Sequence, residues 1–114
     1  MSYDLFNQRD SLARELSESI NLMQQYGTDY AQKDSSYQIT LAETATRMKA
    51  DGETATMISL TIRGTDKVPK MRMDRDIAEV MYKTAQEKIQ VVKLQLKLVE
   101  AQIEREWQTA RREP

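Results

Sequence analysis

The sequence predicts an all-α protein: an antiparallel hairpin of two long helices with a short irregular connection, dimerising into a four-helix bundle. Three observations carry this expectation. Glycine and proline together take only five of 114 positions, so the chain has few places to turn or stop. Charged residues make up 31% and aromatic residues 6%. That balance suits long solvated helices and starves a β-sandwich or barrel of the turns and aromatics it needs at short intervals. Apolar residues also recur at the helical period through two long segments of nearly equal length. The length supplies one domain, a single helical hairpin over residues 1–114.

In the first segment the stripe is Leu5, Leu12, Leu16, Ile20, Met23, Tyr30, Tyr37, Leu41, Ala45 and Met48, mostly in steps of three, four or seven. It predicts a helix over about 5–50. Asp4 or Asn7 can cap its start. Asp51-Gly52 supplies a stop, because Gly52 can take the left-handed conformation beyond a helix end. Gly27, followed by Thr28 and Asp29, interrupts the pattern. A kink recapped by Thr28 is the competitor. Continuity is favoured because the stripe keeps its phase, with the glycine costing about 1 kcal/mol.

The connector spans 51–66. Ile58, Leu60 and Ile62 would share one face of a strand, but a lone strand has no partner within this chain. A short helical turn or irregular segment is favoured over a strand that pairs with another subunit. Gly64-Thr65-Asp66 closes the connector and offers N-cap chemistry to a helix over about 67–111, whose first turn accommodates Pro69. Its stripe is Ala78, Met81, Ala85, Ile89, Val92, Leu96, Val99, Ile103 and Trp107, with a mean step of about 3.6 residues. Trp107 is expected to pack near Leu5 and Leu12 as a terminal lock, with an exposed partner anchor as the alternative. Tyr30 and Tyr37 share a face, with Tyr26 nearby, and read as hairpin core with hydroxyls reaching the edge.

The last helix carries a second apolar ridge. With about 100° per residue, Val91, Leu94 and Leu98 fall roughly opposite Ile89. Exposing three large aliphatic side chains forgoes about 1.5–3 kcal/mol of burial for each, so both sides of this helix are expected to be covered. The connector can fold back over the ridge, the first helix can double back at Gly27, or two hairpins can associate. Association carries as much weight as the other two together, since two-fold dimers are the commonest oligomers and a lone hairpin has little core. Val91, Leu94 and Leu98 are the expected oligomer interface of a homodimer.

Chemistry is harder to find. The absence of Cys and His excludes disulfides, thiol nucleophiles, histidine bases and Cys/His zinc sites. No phosphate-binding glycine loop or nucleophile elbow occurs. Asp74 and Asp76 share no helix face, and Glu100, Glu104 and Glu106 lack the histidines of a di-metal bundle. We expect no catalytic residues, no metal and no cofactor. Net charge is −1, so no global field draws nucleic acid or acidic lipid. The basic residues Arg63, Lys67, Lys70, Arg72 and Arg75 gather around the start of the last helix and are candidate contacts for a partner or for phosphate. No aromatic residue stands among them to stack bases, and nearby Asp66, Asp74 and Asp76 favour a solvated mixed-charge surface. The N-terminus lacks a basic and apolar leader pattern and no apolar run approaches a membrane span, which makes the cytoplasm the expected compartment.

One composite pattern has a counterpart. Tyr37-x-Ile39, Leu41-Ala42, Ile62-Arg63-Gly64, Arg75-Asp76-Ile77-Ala78-Glu79, Lys93-Leu94-Gln95-Leu96 and Gln102-Ile103-Glu104-Arg105-Glu106-Trp107 together resemble small uncharacterised helical proteins of phages and prophages of Gram-positive bacteria. The resemblance spans roughly 30–108 and contains no catalytic motif. Such proteins tend to be encoded among replication and recombination genes. The resemblance therefore implies a non-catalytic accessory role, with a phage or host replication or recombination protein as partner. Direct binding of nucleic acid by the basic hairpin end is the alternative. Secreted helical hairpins of the WXG type are similar in size, but their Trp-x-Gly turn is missing.

Overall fold

The computed structural model describes residues 2–112, and its regular structure is helical throughout, with no strand among those residues. Helix α1 spans Ser2–Ala50, α2 spans Ala55–Thr61 and continues into a 3-10 turn at Ile62–Gly64, and α3 spans Val68–Arg112. Two long helices joined by a short connection are what the apolar period predicts. The starting cap is not. Helix α1 is already formed at Ser2, so Asp4 and Asn7 lie inside it rather than before it. Asp4 instead places its charge in the first turn, where it complements the helix dipole.

The stop falls where expected. Gly52 takes φ +91°, its N–H donates to the Lys49 carbonyl, and the Glu53 N–H reaches back to the Met48 carbonyl, both at 3.1 Å. These two bonds form a Schellman motif that satisfies carbonyls left over at the helix end. Helix α1 passes through Gly27 without a break. The glycine has a packing reason: a Cβ at this position would lie 2.9 Å from Cε1 of Tyr82. The missing side chain makes room for the Tyr82 ring.

The connector is helical because its hydroxyls serve the local backbone. Thr54 is extended, and its Oγ1 accepts from the Met57 N–H at 3.2 Å, capping α2. Thr61 and Thr65 donate their hydroxyls to the carbonyls four residues back, at 2.8 and 2.7 Å. The alternation that suggested a strand has no ladder to join, and the local bonds decide. Of Gly64-Thr65-Asp66, Thr65 serves the start of α3 through its carbonyl, which accepts from the Val68 N–H at 3.1 Å, while its hydroxyl donates to Thr61. Lys67 stands just before α3, and its carbonyl accepts from the Met71 N–H at 3.0 Å. Asp66 adopts φ +48° to make the turn and pairs with Arg47.

The chain forms two compact units. The first joins the residues up to Gln24 with those from Lys83, and the second is Gln25–Tyr82. In the second unit Tyr37, Met48, Ile62, Val68 and Ala78 are buried, together with Thr44. Tyr30 is half-buried, as expected for a core tyrosine whose hydroxyl reaches the edge. In the first unit Ala85, Ile89 and Val92 are buried against α1, with Ser19 of α1 in the same layer of burial. Leu5, Leu12, Leu16, Met23, Leu96, Val99 and Ile103 are half-buried. The helical segments run antiparallel, with Lys88 of α3 beside Glu15 of α1 at 3.9 Å. Ile20, Met81 and Trp107 depart from the predicted stripes: all three are exposed, Trp107 by 59%. With Lys88 level with Glu15, the antiparallel pairing leaves Trp107 opposite no described residue of α1. It is not a terminal lock.

Candidate functional site

In the first unit, α1 covers the face of α3 that carries Ala85, Ile89 and Val92. At about 100° per residue the opposite face carries Val91, Leu94 and Leu98, which are 54%, 58% and 61% exposed. Among the described residues neither intramolecular cover is made. Helix α1 does not turn back at Gly27. The connector belongs to the other unit and itself exposes Met57 and Leu60. The ridge is therefore open on this chain. Leu98 borders a shallow hollow with Gln8, Ser11 and Leu12 of α1 and Gln95 and Val99 of α3.

The second unit has a ridge of its own that the sequence reading missed. Met73, Ile77 and Val80 are exposed to a similar degree. With Pro69, Arg72, Asp76 and Met81 they line an apolar hollow on α3. The signal was present in the four-then-three spacing of Met73, Ile77 and Val80, but it lies within a charged stretch that drew attention to the Lys and Arg residues instead. Contiguous exposed apolar side chains at helical spacing are what a partner helix covers.

The basic residues divide into two kinds. Lys70 pairs with Asp74 at 3.2 Å. Arg75 is largely covered: its guanidinium lies 4.4 Å from the Tyr37 ring centroid, 2.9 Å from Asp76 and 3.8 Å from Asp34. The hydrogen bond to Asp76 raises its pKa further. Its charge is neutralised within the chain. Arg63, Lys67 and Arg72 are exposed and form no ion pair among the described residues. Of the five, these three are the cations open to a partner.

Tyr30 donates its hydroxyl to Glu79 Oε2 at 2.8 Å and stacks on Tyr82 with ring centroids 6.1 Å apart. The bond to Glu79 raises the Tyr30 pKa, because the bond favours the protonated phenol and the carboxylate opposes a second negative charge. This cluster fills the space beside Gly27. Among the described residues no three acidic side chains group as metal ligands, and no helix is long and apolar enough to cross a membrane. No family model, curated protein or solved structure matches the chain.

Proposed function

We propose that this protein is a non-catalytic helical interaction protein that self-associates through Val91, Leu94 and Leu98 into a four-helix bundle. In this reading it acts in the host cytoplasm as a phage or prophage accessory factor in replication or recombination. The single observation that carries it is the uncovered ridge of α3, with three large aliphatic side chains each more than half exposed. Burying them against a second copy contributes about 1.5–3 kcal/mol for each side chain fully covered. Arg63, Lys67 and Arg72 remain outward as the contact for the replication or recombination partner. The test is molar mass in solution for the wild type and for Leu94→Glu/Leu98→Glu. A dimeric wild type and a monomeric, still helical variant are expected. A monomeric wild type, or a variant that stays associated, overturns the reading.

The unpaired state of Arg63, Lys67 and Arg72 also favours a second reading, direct binding of nucleic acid. Phosphate contacts release counterions, so such binding weakens steeply with salt. A duplex shifted at low salt by the wild type, and not by Lys67→Glu/Arg72→Glu, supports it. The absence of any shift at low salt removes it.

A further inference from the structure

The two exposed ridges of α3 are related by register. Along this uninterrupted helix, Met73, Ile77, Val80, Thr84, Glu87, Val91, Leu94 and Leu98 follow one another in steps of four, three, four, three, four, three and four. This is the heptad seam of a coiled coil, and its order of steps reads the same in both directions. A helix with such a seam can meet a second copy of itself in the antiparallel sense about a two-fold axis between Thr84 and Glu87. We infer that the partner on the ridge is a second copy of this chain, with the α3 helices antiparallel. Met73 then faces the partner copy's Leu98, Ile77 its Leu94, Val80 its Val91, and Thr84 its Glu87. This rests on the self-association proposed above and adds the orientation and the other half of the contact.

Two features suit a self-paired seam, and a third selects the antiparallel orientation. All six aliphatic positions of the seam are between 54% and 62% exposed, so the two ridges offer matching apolar surfaces, and the two-fold pairs each with the other. Met73, an unbranched and adaptable side chain, meets Leu98 where Leu98 borders the hollow with Leu12 and Val99. Charge gives the decisive preference. A parallel pair in register sets Glu87 against Glu87 in the seam, and like charges so placed oppose assembly. The antiparallel pair sets Glu87 beside the Thr84 hydroxyl, which can donate to it. It also brings Asp76 within two residues' rise of Lys97 on the flank. Arg75 occupies only Oδ1 of Asp76, leaving Oδ2 for that lysine.

The chain has no cysteine, so disulfide trapping reads the orientation without background. Val80→Cys and Val91→Cys are made separately, one of them tagged, and oxidised alone and as a mixture. Both sites are exposed, and circular dichroism establishes that each variant is as helical as the wild type. A disulfide-linked heterodimer from the mixture, with little product from either variant alone, is the expected result. Linked homodimers from each variant alone mark a parallel pair and overturn the inference. No linkage in any tube, with a dimeric wild type by molar mass, also overturns it while leaving self-association intact. A monomeric wild type removes both, and the ridges then belong to a different partner.

Discussion

The two units hold their helices together by different means. In Gln25–Tyr82 the contacts are individual and polar at their edges. Tyr30 reaches Glu79, Arg75 lies over Tyr37 between Asp34 and Asp76, Arg47 meets Asp66, and Tyr82 occupies the space left by Gly27. In the other unit the contact is an aliphatic seam centred on Ile89 and Val92, with Lys88 beside Glu15 at its edge. A run of similar aliphatic side chains gains energy in proportion to area and says little about register. Specific polar and aromatic partners cost energy when slipped, because each leaves a group unpaired. Alignment is therefore encoded by the individual partners of the second unit, while the aliphatic seam of the first contributes mainly buried area.

This contrast can be broken at four points. The largest effect is expected at Ile89→Ala in the aliphatic seam. Ile89 is 5% exposed, and truncation at such a site costs about 2–4 kcal/mol, measured by urea unfolding. Next is Gly27→Leu, where the added side chain meets Tyr82 and the cost is about 1–3 kcal/mol. Its control sharpens the claim: Gly27→Ala in a Tyr82→Ala background should stabilise by about 1 kcal/mol, since only helix propensity then remains. If Gly27→Leu is neutral, the glycine does not serve the Tyr82 ring.

Arg75→Met comes third. It keeps the stem but loses the cation over Tyr37 and both carboxylates, at a cost of about 1 kcal/mol. Denaturation at high salt should narrow the gap to wild type, because part of it is screened charge. Smallest is Tyr30→Phe, best read against pH. The folded pKa of Tyr30 lies above its unfolded value. Its contribution is thus complete below that unfolded value, near 10, and is lost as pH rises through the folded one. Wild type should be the more stable near neutrality and should lose that advantage in strong alkali. A constant difference across pH would show that the phenol–carboxylate bond contributes nothing.

Much of the architecture is legible in the sequence because it is local. The 3.6-residue period marks α1 and α3, Gly52 marks the end of α1, and Val91, Leu94 and Leu98 announce a face that α1 cannot reach. What escaped depends on distant partners. The reason for Gly27 is Tyr82, far along the chain, and nothing near Gly27 names it. Trp107 sits in phase with its stripe, yet its exposure depends on where α1 pairs, which periodicity does not encode. In the connector, the alternation of Ile58, Leu60 and Ile62 points to a strand and the threonine hydroxyl bonds to a helix over the same residues. The ridge of Met73, Ile77 and Val80 was hidden by neighbouring charges whose salience exceeds their availability: Arg75 is bound within the chain, whereas the aliphatic residues beside it stand open.

The central claim is that a second copy covers the open face of α3. Hydroxyl-radical footprinting across a range of protein concentrations tests it most directly, with oxidation read peptide by peptide. Val91, Leu94 and Leu98 should become protected as concentration rises, while Leu60 of α2, 74% exposed and off the ridge, keeps a constant rate. Oxidation of the three ridge residues that stays as fast as that of Leu60 at every concentration would contradict the account.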